Sequence, residues 1–179
     1  MGLHSVDNGG MAWNRRIVWP LLVGMGAAAM GAVAWQWNAP PLAPVVQYTL
    51  LDGQARSSQQ WNGKVMVVNF WATSCTTCVK EMPALMATHE KFKGPRFDTL
   101  AVAMAYDPPD YVAAFAQTRK LPFGVAIDNS GAIANAFDPA VRMTPTTFVI
   151  DKQGRIVKRY LGEPDFKAMH QLIETLIAA

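Results

Sequence analysis

The chain has 179 residues, 51% of them hydrophobic, and its 16 Lys and Arg against 13 Asp and Glu leave a net charge of only +3. This fits one ordinary globular domain plus an extra segment, and it excludes a disordered, collagen-like or disulfide-rich chain. The slight basic excess does not point to nucleic acid, because after Arg15 and Arg16 the next basic residue is Arg56 and the rest are scattered among acids.

Residues 1–16 are expected to be a short cytoplasmic tail. No Asp, Glu, Lys, Arg or His occurs between Arg16 and Asp52, and the run from Ile17 to Trp37 is apolar. As a helix it would span roughly 30 Å, the thickness of a hydrocarbon core. Trp13 and Trp19 flank one end, Trp35 and Trp37 the other, and the Arg15-Arg16 pair marks the cytoplasmic side. Residues 17–37 are therefore expected to be a transmembrane anchor held in lipid, with the rest of the chain beyond residue 37 facing outward. A cleaved signal peptide is the alternative, since Ala32-Val33-Ala34 resembles a cleavage site. Residues 38–44 carry Pro40, Pro41 and Pro44, which favour an extended spacer. The globular domain is expected over 45–179.

Val65–Trp71 is a nearly continuous β-prone apolar run, as a strand covered on both faces requires. Cys75–Phe92 has helical spacing, with Met82, Leu85, Met86, His89 and Phe92 on one face and Gly94-Pro95 as a stop. Phe97–Ala105 predicts a second strand. A helix then opens at Asp107-Pro108-Pro109-Asp110, with Asp107 as its N-cap and Tyr111, Phe115 and Thr118 on a common face. Phe123–Ile127 predicts a short strand and Asp128–Phe137 a short helix. Thr146–Ile150 and Arg155–Leu161 form a hairpin about Asp151-Lys152-Gln153-Gly154. From Pro164 onward Phe166, Met169, Ile173, Leu176 and Ile177 mark a closing amphipathic helix. The fold class is α/β.

The chemistry concentrates in Trp71-Ala72-Thr73-Ser74-Cys75-Thr76-Thr77-Cys78, where a strand ends and a helix begins. Unpaired N–H groups and the macrodipole at a helix N-terminus favour a thiolate, so the pKa of Cys75 is expected to fall from about 8.5 toward 7. Cys78, one turn later, is placed to close a disulfide with it. Cys75 is thus the expected nucleophile and Cys78 the resolving thiol. Structural zinc would need four ligands, which one CxxC with His4, His89 and His170 at no ligand spacing does not supply. Residue 79 is Val, which excludes haem attachment through CxxCH. An inert structural disulfide is the competing reading. No metal or other cofactor is expected beyond the cysteine pair itself.

Val67-Val68-Asn69-Phe70-Trp71-Ala72-Thr73, the Cys75/Cys78 pair, Glu81-Met82-Pro83 and Thr144-Pro145-Thr146-Thr147-Phe148-Val149-Ile150-Asp151 occur in an order and spacing that resemble the thioredoxin-like proteins. Within them the match is to the membrane-anchored TlpA/ResA type of thiol-disulfide oxidoreductase, over about residues 45–179. The resemblance implies a central mixed β-sheet flanked by helices, here preceded by the N-terminal transmembrane helix. It implies that Pro145 is a cis-proline facing the disulfide and that Thr144 offers backbone groups to a substrate strand beside Trp71. Proline suits that place because it holds a cis bond cheaply and has no N–H. In ResA-like proteins the glutamate matching Glu81 tunes thiol pKa values and relays protons; a solvated helix glutamate is the plain alternative. Asn69 stands where thioredoxin carries a buried acid and cannot take a proton. Ser74 replaces the common Trp before the first cysteine, and Thr76-Thr77 replaces a proline-containing pair, so redox poise and client choice stay open.

The resemblance implies a periplasm-facing enzyme of the bacterial inner membrane that reduces disulfide-containing protein substrates. It would be re-reduced by a membrane electron donor of the DsbD/CcdA type, with clients in cytochrome c maturation or in assembly of the cytochrome oxidase copper site. A disulfide oxidase or isomerase, and a copper chaperone or binding module using Met and Cys, are the alternatives.

Overall fold

A computed structural model describes residues 40–137 and 141–179. The strands are β1 (Gln47–Thr49), β2 (Ala55–Ser57), β3 (Val65–Trp71), β4 (Phe97–Ala103), β5 (Gly124–Ile127), β6 (Thr146–Ile150) and β7 (Ile156–Leu161). The helices are α1 (Thr76–Phe92), α2 (Pro109–Arg119), α3 (Ala132–Phe137) and α4 (Phe166–Ala178), with a 3₁₀ turn at Ser58–Trp61. The span 17–37 lies outside the described residues. Among the described residues no helix is long and apolar enough to cross a membrane.

All seven residues of β3 are buried, which explains why its sequence is nearly all apolar rather than alternating. It is the middle strand of a sheet ordered β5-β4-β3-β6-β7. β3 runs parallel to β4 and antiparallel to β6, so the sheet is mixed, as the thioredoxin-like resemblance implies. Side chains alternate across it. On one face Met66, Val68, Phe70, Phe148 and Ile150 pack with Trp61, Ile133 and Phe137. On the other, Val65, Val67, Trp71 and Val149 pack with Cys78, Met82 and Leu85 of α1, Val112 of α2, and Met169 and Ile173 of α4.

The antiparallel β1–β2 pair is absent from the sequence reading, because three-residue strands are too short to display a period. The prolines of the 38–44 segment lead into chain that is tied down: Pro41 O accepts from Ile156 N–H, and Ala43 N–H donates to Gly154 O, each at 2.8 Å. The helix expected from Asp128 begins at Ala132, and the Asp128 carboxylate accepts instead from the N–H groups of Ile133 and Ala134 at 3.1 and 2.8 Å.

One expectation at α2 is corrected. Its N-cap is Pro108, with no side-chain cap bond, because Asp107 is turned toward another loop. Its buried residue is Val112, while Tyr111 is 67% exposed. Tyr111, Phe115 and Thr118 share a face as expected; it lines a surface groove with Thr73, and Phe115 also packs against the core.

Candidate active site

Helix α1 starts where β3 delivers the chain to the sheet edge, so its first N–H groups lack carbonyl partners within the helix. Cys75 is the N-cap, in extended conformation, and its Sγ accepts from the Cys78 N–H at 3.1 Å. The two cysteines form a disulfide with their Cα atoms 5.2 Å apart. Cys75 is half-buried, whereas Cys78 is shielded completely by its own helix. An incoming reagent can reach the first sulfur and not the second.

Between α1 and the sheet lies a buried polar seam of Asn69, Glu81 and Thr147. Glu81, one turn after Cys78, is only 2% exposed, which excludes a solvated helix glutamate. Its Oε1 accepts from Asn69 Nδ2 at 3.0 Å, and the same amide donates to Thr147 Oγ1 at 2.9 Å. Asn69 and Thr147 are directly opposed in the β3–β6 register. Glu81 Oε2 and Asn69 Oδ1 are buried without a hydrogen-bond partner. Burial pushes the Glu81 carboxyl up to about 7; the Asn69 donor pulls it partly back, and Glu163 adds to the rise. A carboxyl of that kind exchanges protons near neutral pH. Asn69 cannot carry a proton, but it holds the side chain that can.

The second loop of the site precedes β6. The Thr144–Pro145 peptide bond is cis. Pro145 is buried, Thr144 is half-buried and Met143 is 62% exposed. The loop is tied by Thr146 Oγ1 donating to Met143 O and Gly162 N–H donating to Pro145 O, each at 2.8 Å. Trp71, expected beside the substrate, is fully buried against Phe115 at 5.1 Å between ring centroids. It supports the cysteine loop from below and cannot touch a substrate, because the final residue of a central strand has α2 packed over it. Ser74, by contrast, lies exposed at the rim.

Two residues of this neighbourhood were not singled out for the site from sequence. The buried Asp107 carboxylate accepts from Thr73 N–H and from Thr73 Oγ1, each at 2.6 Å. The Tyr106 hydroxyl lies 3.2 Å from Thr144 Oγ1. A signal was present in their position just past the end of a strand parallel to β3, since open α/β sheets place ligands beyond the carboxyl ends of their strands. Among the described residues no group of three or more His, Cys, Asp or Glu is placed to hold a metal ion.

The Redoxin family model matches residues 39–173. The chain is 36% identical over 137 residues to the thioredoxin-like protein YneN of Bacillus subtilis, covering 74% of this chain and 76% of that one. It is 31% identical over 135 residues to the thiol-disulfide oxidoreductase ResA of Bacillus thuringiensis, covering 75% and 76%. Among solved structures, a protein of Neisseria meningitidis assigned as a thioredoxin superposes with a TM-score of 0.69 at 39% identity, over 75% of this chain and 88% of its own.

Proposed function

The chain belongs to the Redoxin family as a thiol-disulfide oxidoreductase of the ResA type, and from that premise we propose that it reduces disulfides of protein substrates outside the cytoplasm. What carries the reading is the asymmetry of the pair: Cys75 is reachable and sits on a backbone N–H, while Cys78 is enclosed above a carboxyl that titrates near neutrality.

In the reduced enzyme the Cys75 thiolate, steadied by the Cys78 N–H and the start of α1, attacks one sulfur of a substrate disulfide. A mixed disulfide forms, and the displaced substrate thiolate takes a proton from water. Cys78 then gives its proton to the Glu81 carboxylate and attacks the Cys75 sulfur. The second substrate sulfur leaves as a thiolate and takes up, by way of water, the proton held on Glu81, and Cys75–Cys78 is oxidised as it stands here. Two electrons and two protons pass to the substrate, and the cysteine pair is its own carrier, without another cofactor. Thr144 and Pro145 receive the substrate strand: a proline has no N–H to compete for the sulfur, and Thr144 supplies the backbone groups.

The return of electrons requires a donor. Residues 17–37 would anchor the chain in the inner membrane with the domain in the periplasm, where a membrane electron donor of the DsbD/CcdA type can reach it. Clients in cytochrome c maturation or oxidase copper-site assembly fit that place.

The deciding experiment equilibrates the full chain in detergent against defined redox buffers. A potential near or below about −250 mV marks a reductant, and one near about −120 mV would reverse the direction to disulfide donation. Cys78→Ser is expected to accumulate a mixed disulfide with a protein substrate and Cys75→Ser to form none, as checked by non-reducing electrophoresis.

A further inference from the structure

β3 and β4 end together, with Trp71 opposite Ala103, so the chains leaving them emerge side by side. The first runs through Thr73 to Cys75. The Thr144–Pro145 loop stands on the other side of β3, at the start of β6. The turn after β4 reaches both. Met104 N–H donates to Trp71 O at 3.0 Å, and Asp107 N–H closes the turn onto Met104 O at 2.9 Å. Both carboxylate oxygens of Asp107, a residue 2% exposed, are engaged by Thr73 of the cysteine loop. Its neighbour Tyr106, 58% exposed, meets Thr144 of the opposite loop.

A buried carboxylate is costly unless it is hydrogen-bonded, and this one makes no capping hydrogen bond to the helix beginning just after it. Each of its oxygens instead accepts from Thr73, one from the backbone N–H and one from the side-chain hydroxyl, two residues before Cys75. We propose that Asp107 and Tyr106 are positioning residues that fix the gap between the cysteine loop and the Thr144–Pro145 loop, and thereby set how a polypeptide disulfide, but not a small one, is presented to Cys75. This rests on the reading that Cys75 attacks while the Thr144 backbone holds the substrate strand. A polypeptide must satisfy both loops at once, so their spacing matters to it. A small disulfide needs only an accessible sulfur. Misplacement of a reacting group by about 1 Å costs on the order of a hundredfold in rate.

The test compares the full-length wild type with Asp107→Ala, Asp107→Asn, Tyr106→Phe, Thr144→Val and the Tyr106→Phe/Thr144→Val double variant. KM and kcat are measured separately for insulin and for oxidised glutathione. Asp107→Ala is expected to raise KM for insulin about tenfold or more while the glutathione rate changes less than about threefold. Asp107→Asn, whose amide can still accept from Thr73 N–H and donate to Thr73 Oγ1, is expected to recover insulin KM to within about threefold of wild type. Tyr106→Phe is expected to raise insulin KM about two- to threefold, with no further loss in the double variant, because the two hydroxyls act as one contact.

Equal slowing with both substrates, no change in insulin KM, or multiplying effects of Tyr106→Phe and Thr144→Val would each overturn the proposal. Should Asp107→Ala fail to fold, Asp107→Asn and the Tyr106/Thr144 cycle decide. Failure of the underlying reading looks different: the wild type would not reduce insulin, or Cys75→Ser would retain the activity.

Discussion

The two faces of the central sheet are built from the same strands by opposite rules. One face is apolar throughout its core cluster, and its rings interlock: Phe70 meets Phe137 at 5.4 Å and Phe148 at 5.9 Å, both edge-on, and Phe137 meets Phe148 at 5.2 Å. The other face is interrupted by Asn69, Thr147 and Glu81, the last one turn along α1 from Cys78, and Asn69 Oδ1 and Glu81 Oε2 are left unpaired. The alternation of β3 makes this possible, since Phe70 and Asn69 are neighbours in sequence and lie on opposite sides. The difference teaches that the ring-packed face needs only shape and volume, whereas the seam sacrifices stability to keep a titratable group beside a buried thiol.

The largest effect is expected on the apolar face. Phe70→Ala is expected to lose about 3–5 kcal/mol in urea unfolding, with the cysteine reduction potential unmoved; a shifted potential would mean that the faces are not separable. On the seam, Glu81→Gln is expected to act through pH. In the folded chain the Glu81 carboxyl keeps its proton to about pH 7, whereas unfolded it releases near 4.5. The folded state binds more protons between these values, so wild-type stability falls as pH rises through that window and is level above it. Glu81→Gln escapes this loss, and its advantage over wild type is expected to grow by on the order of 3 kcal/mol across the window. Unfolding of the oxidised proteins at its two ends reads this, and a difference independent of pH would remove Glu81 from the seam.

Asn69→Val is expected to cost about 1–3 kcal/mol and to move the midpoint of the pH–rate profile upward, because it deletes the donor that favours the Glu81 carboxylate. An unchanged midpoint would show that Asn69 acts on packing alone. The smallest effect belongs to the hairpin over the apolar face. Tyr48→Phe removes the acceptor of Trp61 Nε1, bonded at 3.0 Å, and is expected to cost about 1 kcal/mol without altering insulin turnover.

Much of this was legible from local pattern. β3 follows the apolar run Val65–Trp71 residue for residue, and α1 ends at Phe92 just before Gly94-Pro95. The strand signal is strong because a doubly covered strand admits few polar residues; the helix stop needed Gly94 and Pro95 together, since Pro83 alone is carried inside α1. Asp107 misled for a physical reason: an aspartate before two prolines has the chemistry of an N-cap, and nothing local reveals that Thr73, 34 positions earlier, competes for its oxygens.

By itself the sequence determined the α/β class and the cysteine pair at a strand-to-helix junction, because each depends on residues within a few positions of one another. Only the tertiary structure decided that Asn69 carries Glu81, that Trp71 is a buried support, and that Asp107 and Tyr106 join the two loops around the disulfide. Those are contacts between strands and loops distant in the chain, and hydrogen bonding depends on separation in space, which the parallel and antiparallel pairing of β3 supplies and no sequence period records.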